Sequence, residues 1–176
     1  TIAPYAKLGE TALRVTAKDE NIEIAKAKVE ETIEQIRAKI GDYIYSYSGK
    51  TMPEVLVERL KRNNSKIASA ESITGGGFMR ALTDIEGASS VIEKAFVTYS
   101  DKAKMDLLGV RQETREKDGA VSSDVAGAMA MGLHKMKAGD ICISCTGLAG
   151  PTGDGMHERG TVFIGIMTSR LASPEV

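Results

Sequence analysis

Between Ala70 and Lys104 the chain reads Ala-Glu-Ser-Ile-Thr-Gly-Gly-Gly, then Gly-Ala-Ser-Ser, then Tyr-Ser-Asp-Lys-Ala-Lys, gathering hydroxyls, glycines and lysines within 35 residues. Glycine clusters let backbone N–H groups approach an anion or a developing oxyanion, and serine and lysine can divide the nucleophile and base roles without histidine. Ser72, Ser89 and Ser90 are candidate nucleophiles, and each could equally be a helix cap or turn residue. Lys104 is the candidate base. With Ser100 as N-cap it lies in the first full turn of a helix, where the positive end of the dipole disfavours a second positive charge. A lysine working near neutral pH needs a drop of roughly 3 units from about 10.4, about 4 kcal/mol, which requires partial burial besides the dipole. Lys102, two residues earlier, points elsewhere on that helix and reads as solvated.

Gly75-Gly76-Gly77 is neither the dinucleotide fingerprint nor the Walker sequence, which argues against a nucleoside triphosphatase. It could open a helix whose free N–H groups hold a phosphate or an oxyanion, or it could simply allow close helix-sheet packing. Tyr99 could orient a hydroxyl or fill the core, and Arg159, after a glycine-rich loop, could clamp a phosphate or lie on the surface. His157 has no evident carboxylate partner in the sequence, so a Ser-His-Asp triad is not the expected arrangement. Cys142 and Cys145 spell C-x-x-C inside a short apolar run that reads as a strand. At that spacing the two thiols face opposite sides of a sheet, so they are expected to be structural rather than a redox or metal pair.

Strand-end loops are expected to position these residues. Ala12–Thr16 alternates as a half-buried strand; Ile22, Ala25, Val29, Ile33, Ile36 and Ile40 then form the stripe of a helix ended by Gly41, and Asp42–Tyr47 reads as a second strand. Residues 1–48 thus form a small α+β module, with Ser48-Gly49-Lys50 as linker, and residues 49–176 form an α/β domain. Thr51-Met52-Pro53-Glu54 is a capping box opening a helix that stops at Asn63-Asn64. Strands at Lys66–Ala70, Phe96–Tyr99, Asp140–Cys145 and Thr161–Ile166 alternate with helices after the glycines, from Ser100 to Gly109, and from about Asp124 to Met136. That alternation predicts a mainly parallel sheet flanked by helices. In such sheets ligands gather beyond the carboxyl ends of the strands. Glu71, Ser72 and Thr74 follow the first strand, Ser100 the second, and Thr146-Gly147-Leu148-Ala149-Gly150-Pro151 the third.

With 23 basic and 24 acidic residues and a formal charge of -1, the chain has no global footprint for nucleic acid or an anionic membrane. No apolar run reaches the length of a membrane span and no signal-like leader opens the sequence, so a cytoplasmic protein is expected. Thr1 stands where a methionine would, and Leu171–Val176 stops just past a strand; a fragment of a longer polypeptide is expected.

Ala70-Glu-Ser-Ile-Thr-Gly-Gly, Thr83-Asp-Ile-Glu-Gly-Ala-Ser, Phe96-Val-Thr-Tyr-Ser-Asp-Lys-Ala-Lys-Met-Asp-Leu-Leu-Gly-Val, Gly119-Ala-Val-Ser, Thr146-Gly-Leu-Ala-Gly-Pro and Gly160-Thr-Val-Phe-Ile-Gly together resemble the C-terminal domain of the CinA family of competence/damage-inducible proteins. Tyr5-Ala-Lys-Leu-Gly-Glu and Gly41-Asp-Tyr-Ile-Tyr resemble its KH-like middle module. The resemblance implies an amidohydrolase converting nicotinamide mononucleotide to nicotinic acid mononucleotide and ammonia, with a Ser/Lys arrangement and neither cofactor nor metal. Carried over by motif, Ser72, Ser89, Tyr99 and Lys104 are its catalytic candidates. Lys104 would deprotonate Ser89 or Ser72, the other serine and glycine-loop N–H groups would hold the oxyanion, and Arg159 or the triple-glycine turn would hold the 5′-phosphate. Thr74, Gly75, Gly76, Thr146 and Gly147 complete the implied substrate site.

The resemblance also implies a homodimer and an N-terminal domain, similar to molybdopterin-binding proteins, in the parent chain. Ile73 stands where the family commonly has cysteine, the loop 151–160 is shorter and lacks a Lys-Pro pair, and the usual C-terminal helix is missing. A non-catalytic module that binds a pyridine nucleotide or acts as a scaffold is the competing reading. RNA binding is weaker, because residues 1–50 contain no Gly-x-x-Gly clamp.

Overall fold

The computed structural model describes residues 1–176, apart from the side chain of Asp118. The chain forms two compact units, Thr1–Val55 and Leu56–Val176.

In the first unit Ile2–Lys7 (β1) pairs antiparallel with Glu10–Val15 (β2), in register from Ile2↔Val15 to Lys7↔Glu10. The turn between them uses Gly9 at φ 77, a left-handed conformation that glycine adopts without a Cβ clash. Ile22–Ile40 (α1) follows, and Asn21 caps it by accepting the Glu23 N–H at 2.9 Å. Ala25, Val29, Ile33 and Ile36 lie half-buried along one stripe, and no residue of α1 is fully buried.

The strand expected over Asp42–Tyr47 does not form. Gly41–Tyr43 is a 3-10 turn and the chain beyond it joins no ladder. The alternating tyrosines satisfy a strand pattern, yet strand preference depends on a neighbour to pair with. Here the hydroxyls find side chains instead: Tyr45 donates to Glu10, and Tyr47 accepts from Arg37 Nε at 3.1 Å.

Met52–Arg62 (α2) opens as the capping box predicts, with the Glu54 carboxylate accepting the Thr51 N–H at 2.6 Å and its hydroxyl at 2.7 Å. In the second unit Ile67–Glu71 (β3), Ile92–Val97 (β4), Ile141–Gly147 (β5) and Val162–Thr168 (β6) form a sheet in the order β4-β3-β5-β6. β3 runs parallel to both neighbours, and β6 is an antiparallel edge. Gly77–Thr83 (α3), Asp101–Leu108 (α4), Gln112–Asp118 (α5) and Ser123–Lys135 (α6) complete the unit. α5 has no counterpart in the sequence reading, because Gln-Glu-Thr-Arg-Glu-Lys-Asp offers no apolar residue from which a helical period could be read. β4 also begins and ends earlier than expected, leaving Thr98 and Tyr99 beyond its carboxyl end.

Every residue of β3 is buried, as a central strand covered on both faces requires. One face packs Ile67 with Val57, Leu60, Met79 and Leu82; the other packs Ala68 and Ala70 with Leu108, Val125, Met129 and Leu133. α2 and α3 thus cover one side of the sheet, and α4 and α6 the other. No helix among the described residues is long and apolar enough to cross a membrane.

Candidate active site

The last residues of β3 alternate across the sheet. Glu71 points toward α3 and Ser72 toward α4. On the α4 side, Ser100 caps the helix by accepting the Ala103 N–H at 3.1 Å, and Gly109 at φ 67 ends it. Between these stops Lys104 turns inward and is only 4% exposed. Its Nζ donates to Ser72 Oγ at 3.1 Å and to the Tyr99 carbonyl at 3.3 Å. Burial pushes the Lys104 amine below its ordinary value, against the smaller opposing pull of the Asp101 carboxylate. Asp101 is in turn engaged by Arg115 at 2.9 Å. A buried amine with a lowered proton affinity, within hydrogen-bond reach of an alcohol, has the arrangement of a base and its nucleophile.

Across the sheet, the Ser72 N–H donates to the Cys145 carbonyl at 3.0 Å and the Thr98 N–H to the Glu71 carbonyl at 2.8 Å. These bonds align Thr98, Ser72 and Thr146 as a row on the α4 side of β4, β3 and β5. Thr146 Oγ1 donates to the Ala120 carbonyl at 2.9 Å. Gly147 is a close-approach position: a Cβ there would lie 2.7 Å from the Thr161 carbonyl and 2.8 Å from Ile73 Cδ1. The Thr-Gly loop is therefore packed directly against the residue that follows Ser72.

Behind Ser72, the buried Glu71 carboxylate accepts four hydrogen bonds: from Ser69 Oγ (3.0 Å), Thr74 Oγ1 (2.7 Å), Phe78 N (2.9 Å) and Met79 N (3.0 Å). Gly75 and Gly76 make the turn at φ 57 and 100. The helix start expected to offer N–H groups to a phosphate or oxyanion thus already holds an anion, and it belongs to the protein. Sequence reading placed Glu71 in the loop without assigning it this role; an acidic side chain one turn before a glycine-opened helix was the available signal. Thr74 Oγ1 also lies 3.1 Å from Cys145 Sγ, while Cys142 sits in the cluster on the other face. Both thiols are free and buried.

Other candidates lie elsewhere. Ser89 is exposed in the 3-10 turn Ala88–Ser90, ahead of β4 and so at the amino end of the strands. Lys66, ahead of β3, reaches that turn through the Ser90 carbonyl at 2.6 Å. An open hollow of about 640 Å³ at that end is lined by Thr83, Ile85, Gly87, Ser89 and Ile92, remote from the Ser72–Lys104 pair. Ser90 Oγ closes its own turn on Gly87. Tyr99 is 75% exposed and meets Lys104 through its carbonyl rather than its ring. Lys102 pairs with Asp106 on the surface. Arg159 is exposed and lays its aliphatic stem over Gly150, which follows β5 at the carboxyl end of the sheet. His157 does have a carboxylate nearby, Asp154 at 3.7 Å, within its own loop. Backbone N–H groups of His157 and Met156 hold that carboxyl below the usual range. Among the described residues, no group of three or more His, Cys, Asp or Glu is placed to hold a metal ion.

The pattern of the CinA C-terminal domain matches residues 49–173, and that of the damage-inducible protein CinA KH domain matches residues 1–46. The chain belongs to the CinA family. It is 42% identical over 168 residues to a CinA-like protein of Kosmotoga olearia, covering 94% of this chain and 40% of that protein. A competence-damage inducible protein of Clostridium novyi is 45% identical over 168 residues, with the same coverage of 94% and 40%. The chain therefore spans about two fifths of the length of these curated CinA relatives. Among solved structures, a CinA superfamily protein of Escherichia coli superimposes with a TM-score of 0.65 at 31% identity, over 78% of this chain and 83% of that one. The competence/damage inducible protein of Agrobacterium tumefaciens gives a TM-score of 0.61 at 35% identity, over 69% and 76%. The mixed sheet flanked by helices is thus the CinA C-terminal fold, and the Ser72–Lys104 pair stands at the carboxyl end of its central strand.

Proposed function

We propose that this CinA domain hydrolyses the carboxamide of nicotinamide mononucleotide, yielding nicotinic acid mononucleotide and ammonia, with Ser72 as nucleophile and Lys104 as base. The substrate is the one implied by the motifs in residues 65–166. The observation that carries the chemistry is the 3.1 Å hydrogen bond between the buried Lys104 amine and Ser72 Oγ. Lys104 takes the Ser72 proton as Oγ bonds to the carboxamide carbon, and the C=O electron pair moves onto oxygen. The lysine ammonium then protonates the departing nitrogen, and ammonia leaves an acyl ester on Ser72. Water, deprotonated by the same amine, attacks that ester, and the ammonium returns its proton to Ser72 Oγ as the C–Oγ bond breaks and the nicotinic acid product leaves.

Ser72 is favoured over Ser89 because the latter lies at the other end of the strands in the same chain. Arg159 is favoured for the 5′-phosphate, since Glu71 already occupies the first N–H groups of α3. Ammonia release from nicotinamide mononucleotide tests the reading: wild type should turn over, and Lys104→Ala should lose about 10²-fold or more, the usual scale for a general base. Turnover at the wild-type rate by Lys104→Ala would overturn it. Binding of the nucleotide by wild type without ammonia release would favour a sensing module instead.

A further inference from the structure

Thr98 is fully buried, and its hydroxyl has no hydrogen-bond partner. Buried hydroxyls are nearly always paired, so this one calls for an explanation. The Thr98 N–H bonds to the Glu71 carbonyl at 2.8 Å, which sets Thr98 beside Ser72. Phe96, two residues earlier, packs in the cluster beneath α4 and α6, so strand alternation turns Thr98 toward the same side as Lys104. In the row of three hydroxyls, Thr146 is bonded to Ala120 and Ser72 to Lys104. Thr98 is the member without an engagement.

The unmet need is on Lys104. Its Nζ has two partners, Ser72 Oγ and the Tyr99 carbonyl. As a base the amine faces the Ser72 hydroxyl with its lone pair and gives one N–H to the Tyr99 carbonyl, which leaves its other N–H without a partner. Once it takes the serine proton it has three N–H bonds and no lone pair, in a position only 4% open to water. We propose that Thr98 is a positioning residue for Lys104, its hydroxyl oxygen accepting the third N–H of the ammonium formed when Ser72 gives up its proton. This rests on the Ser72–Lys104 reading above. Rotation about the Thr98 Cα–Cβ bond between staggered positions is the movement it asks for. The bond stabilises the ion formed during attack, and by the same free energy it raises the pH at which the resting amine loses its proton.

Other groups around Lys104 are accounted for. From α4, Asp101 favours the ammonium, and Arg115 of α5 offsets Asp101 by pairing with it. From β3, Glu71 lies on the opposite side of the sheet within its four hydrogen bonds. α6, packed beside α4, buries Val125, Met129 and Leu133, none of which titrates. Tyr99 turns its phenol to solvent.

The test compares Thr98→Val, which keeps the shape and deletes the hydroxyl, with Thr98→Ser, which keeps the hydroxyl. Lys104 is titrated by NMR of lysine labelled at Cε, a readout that does not need turnover. In Thr98→Val the Lys104 ammonium should lose its proton at a pH lower by about one unit or more, the scale of one hydrogen bond to a charged group. kcat for ammonia release should fall about 10-fold with KM little changed, and Thr98→Ser should titrate and turn over like wild type. A Lys104 titration unmoved by Thr98→Val would overturn the proposal. Should Thr98→Val fail to fold, Thr98→Ala against Thr98→Ser is read by the same criterion. If wild type releases no ammonia, the deamidase reading falls, and the Lys104 titration still decides the role of Thr98.

Discussion

Glu71 and Ser72 are neighbours in sequence and face opposite sides of one strand end: the Glu71 carboxylate receives the Phe78 and Met79 N–H groups, and the Ser72 hydroxyl receives the Lys104 amine. The peptide between them ties the helix cap to the nucleophile. Whatever holds Glu71 still also holds Ser72, because a strand cannot rotate one residue without turning the next.

Glu71→Gln should therefore destabilise the domain. An amide has one oxygen where the carboxylate has two, and its NH2 would face backbone N–H donors. Each buried group left unpaired costs about 1–3 kcal/mol. Urea unfolding followed by circular dichroism should show a lower midpoint with an unchanged slope, and an unchanged midpoint would mean the cap is not needed.

Lys104 makes stability depend on pH in a defined direction. Its folded proton affinity lies below the ordinary value of 10.5, so between the two values the unfolded chain binds more protons and stability rises with pH. Below the folded value the full cost of the buried ammonium is present, and above 10.5 the contribution is complete. Lys104→Met should abolish this slope, and its stability advantage or deficit against wild type should shift in favour of wild type as pH rises through the window. Parallel curves for the two proteins across that range would contradict the burial of the charge.

Two glycines in α6 should respond with opposite signs. A Cβ on Gly132 would collide with the Leu108 carbonyl where α4 and α6 cross, so Gly132→Ala should cost at least the roughly 1–3 kcal/mol of an overpacked core. At Gly127 the nearest atoms are side-chain carbons of Pro174 and Val176 at 3.5 Å, an ordinary contact. Gly127→Ala should gain roughly 0.5–1 kcal/mol from helix propensity. Thermal unfolding of both variants reads the difference, and equal shifts would show that the two helices do not pack as closely as described.

Ser72 and Ser89 should separate in the Lys104 titration. Ser72→Ala removes a direct partner of Nζ and should move the pH at which Lys104 deprotonates, while Ser89→Ala, at the far end of the strands, should leave it in place. An equal shift from both would place Ser89 beside Lys104 after all, as a second copy of the chain could.

Local patterns were readable without coordinates. Ser100 and Gly109 bracket α4 as cap and stop, and the apolar stripe of α1 holds from Ala25 to Ile36, with Ile22 and Ile40 at its ends exposed, because capping and helical periodicity act within a few residues. The short runs of β3 and β5 likewise read as the main strands of the sheet, and the motif residues carried the family. The same local rules misplaced Asp42–Tyr47, whose pattern suits a strand that has no partner, and passed over α5, whose polar residues show no period. Which serine meets the lysine could not be read from spacing, since Ser72 and Ser89 both precede it within one motif-rich segment. That choice came from the direction of the strands: a parallel sheet sends Ser72 to its carboxyl end beside the start of α4 and leaves Ser89 at its amino end. The engagement of Glu71 and the isolation of the Thr98 hydroxyl are equally matters of packing, because a hydrogen-bond partner is set by which segments meet across the sheet, and that is information no single segment contains.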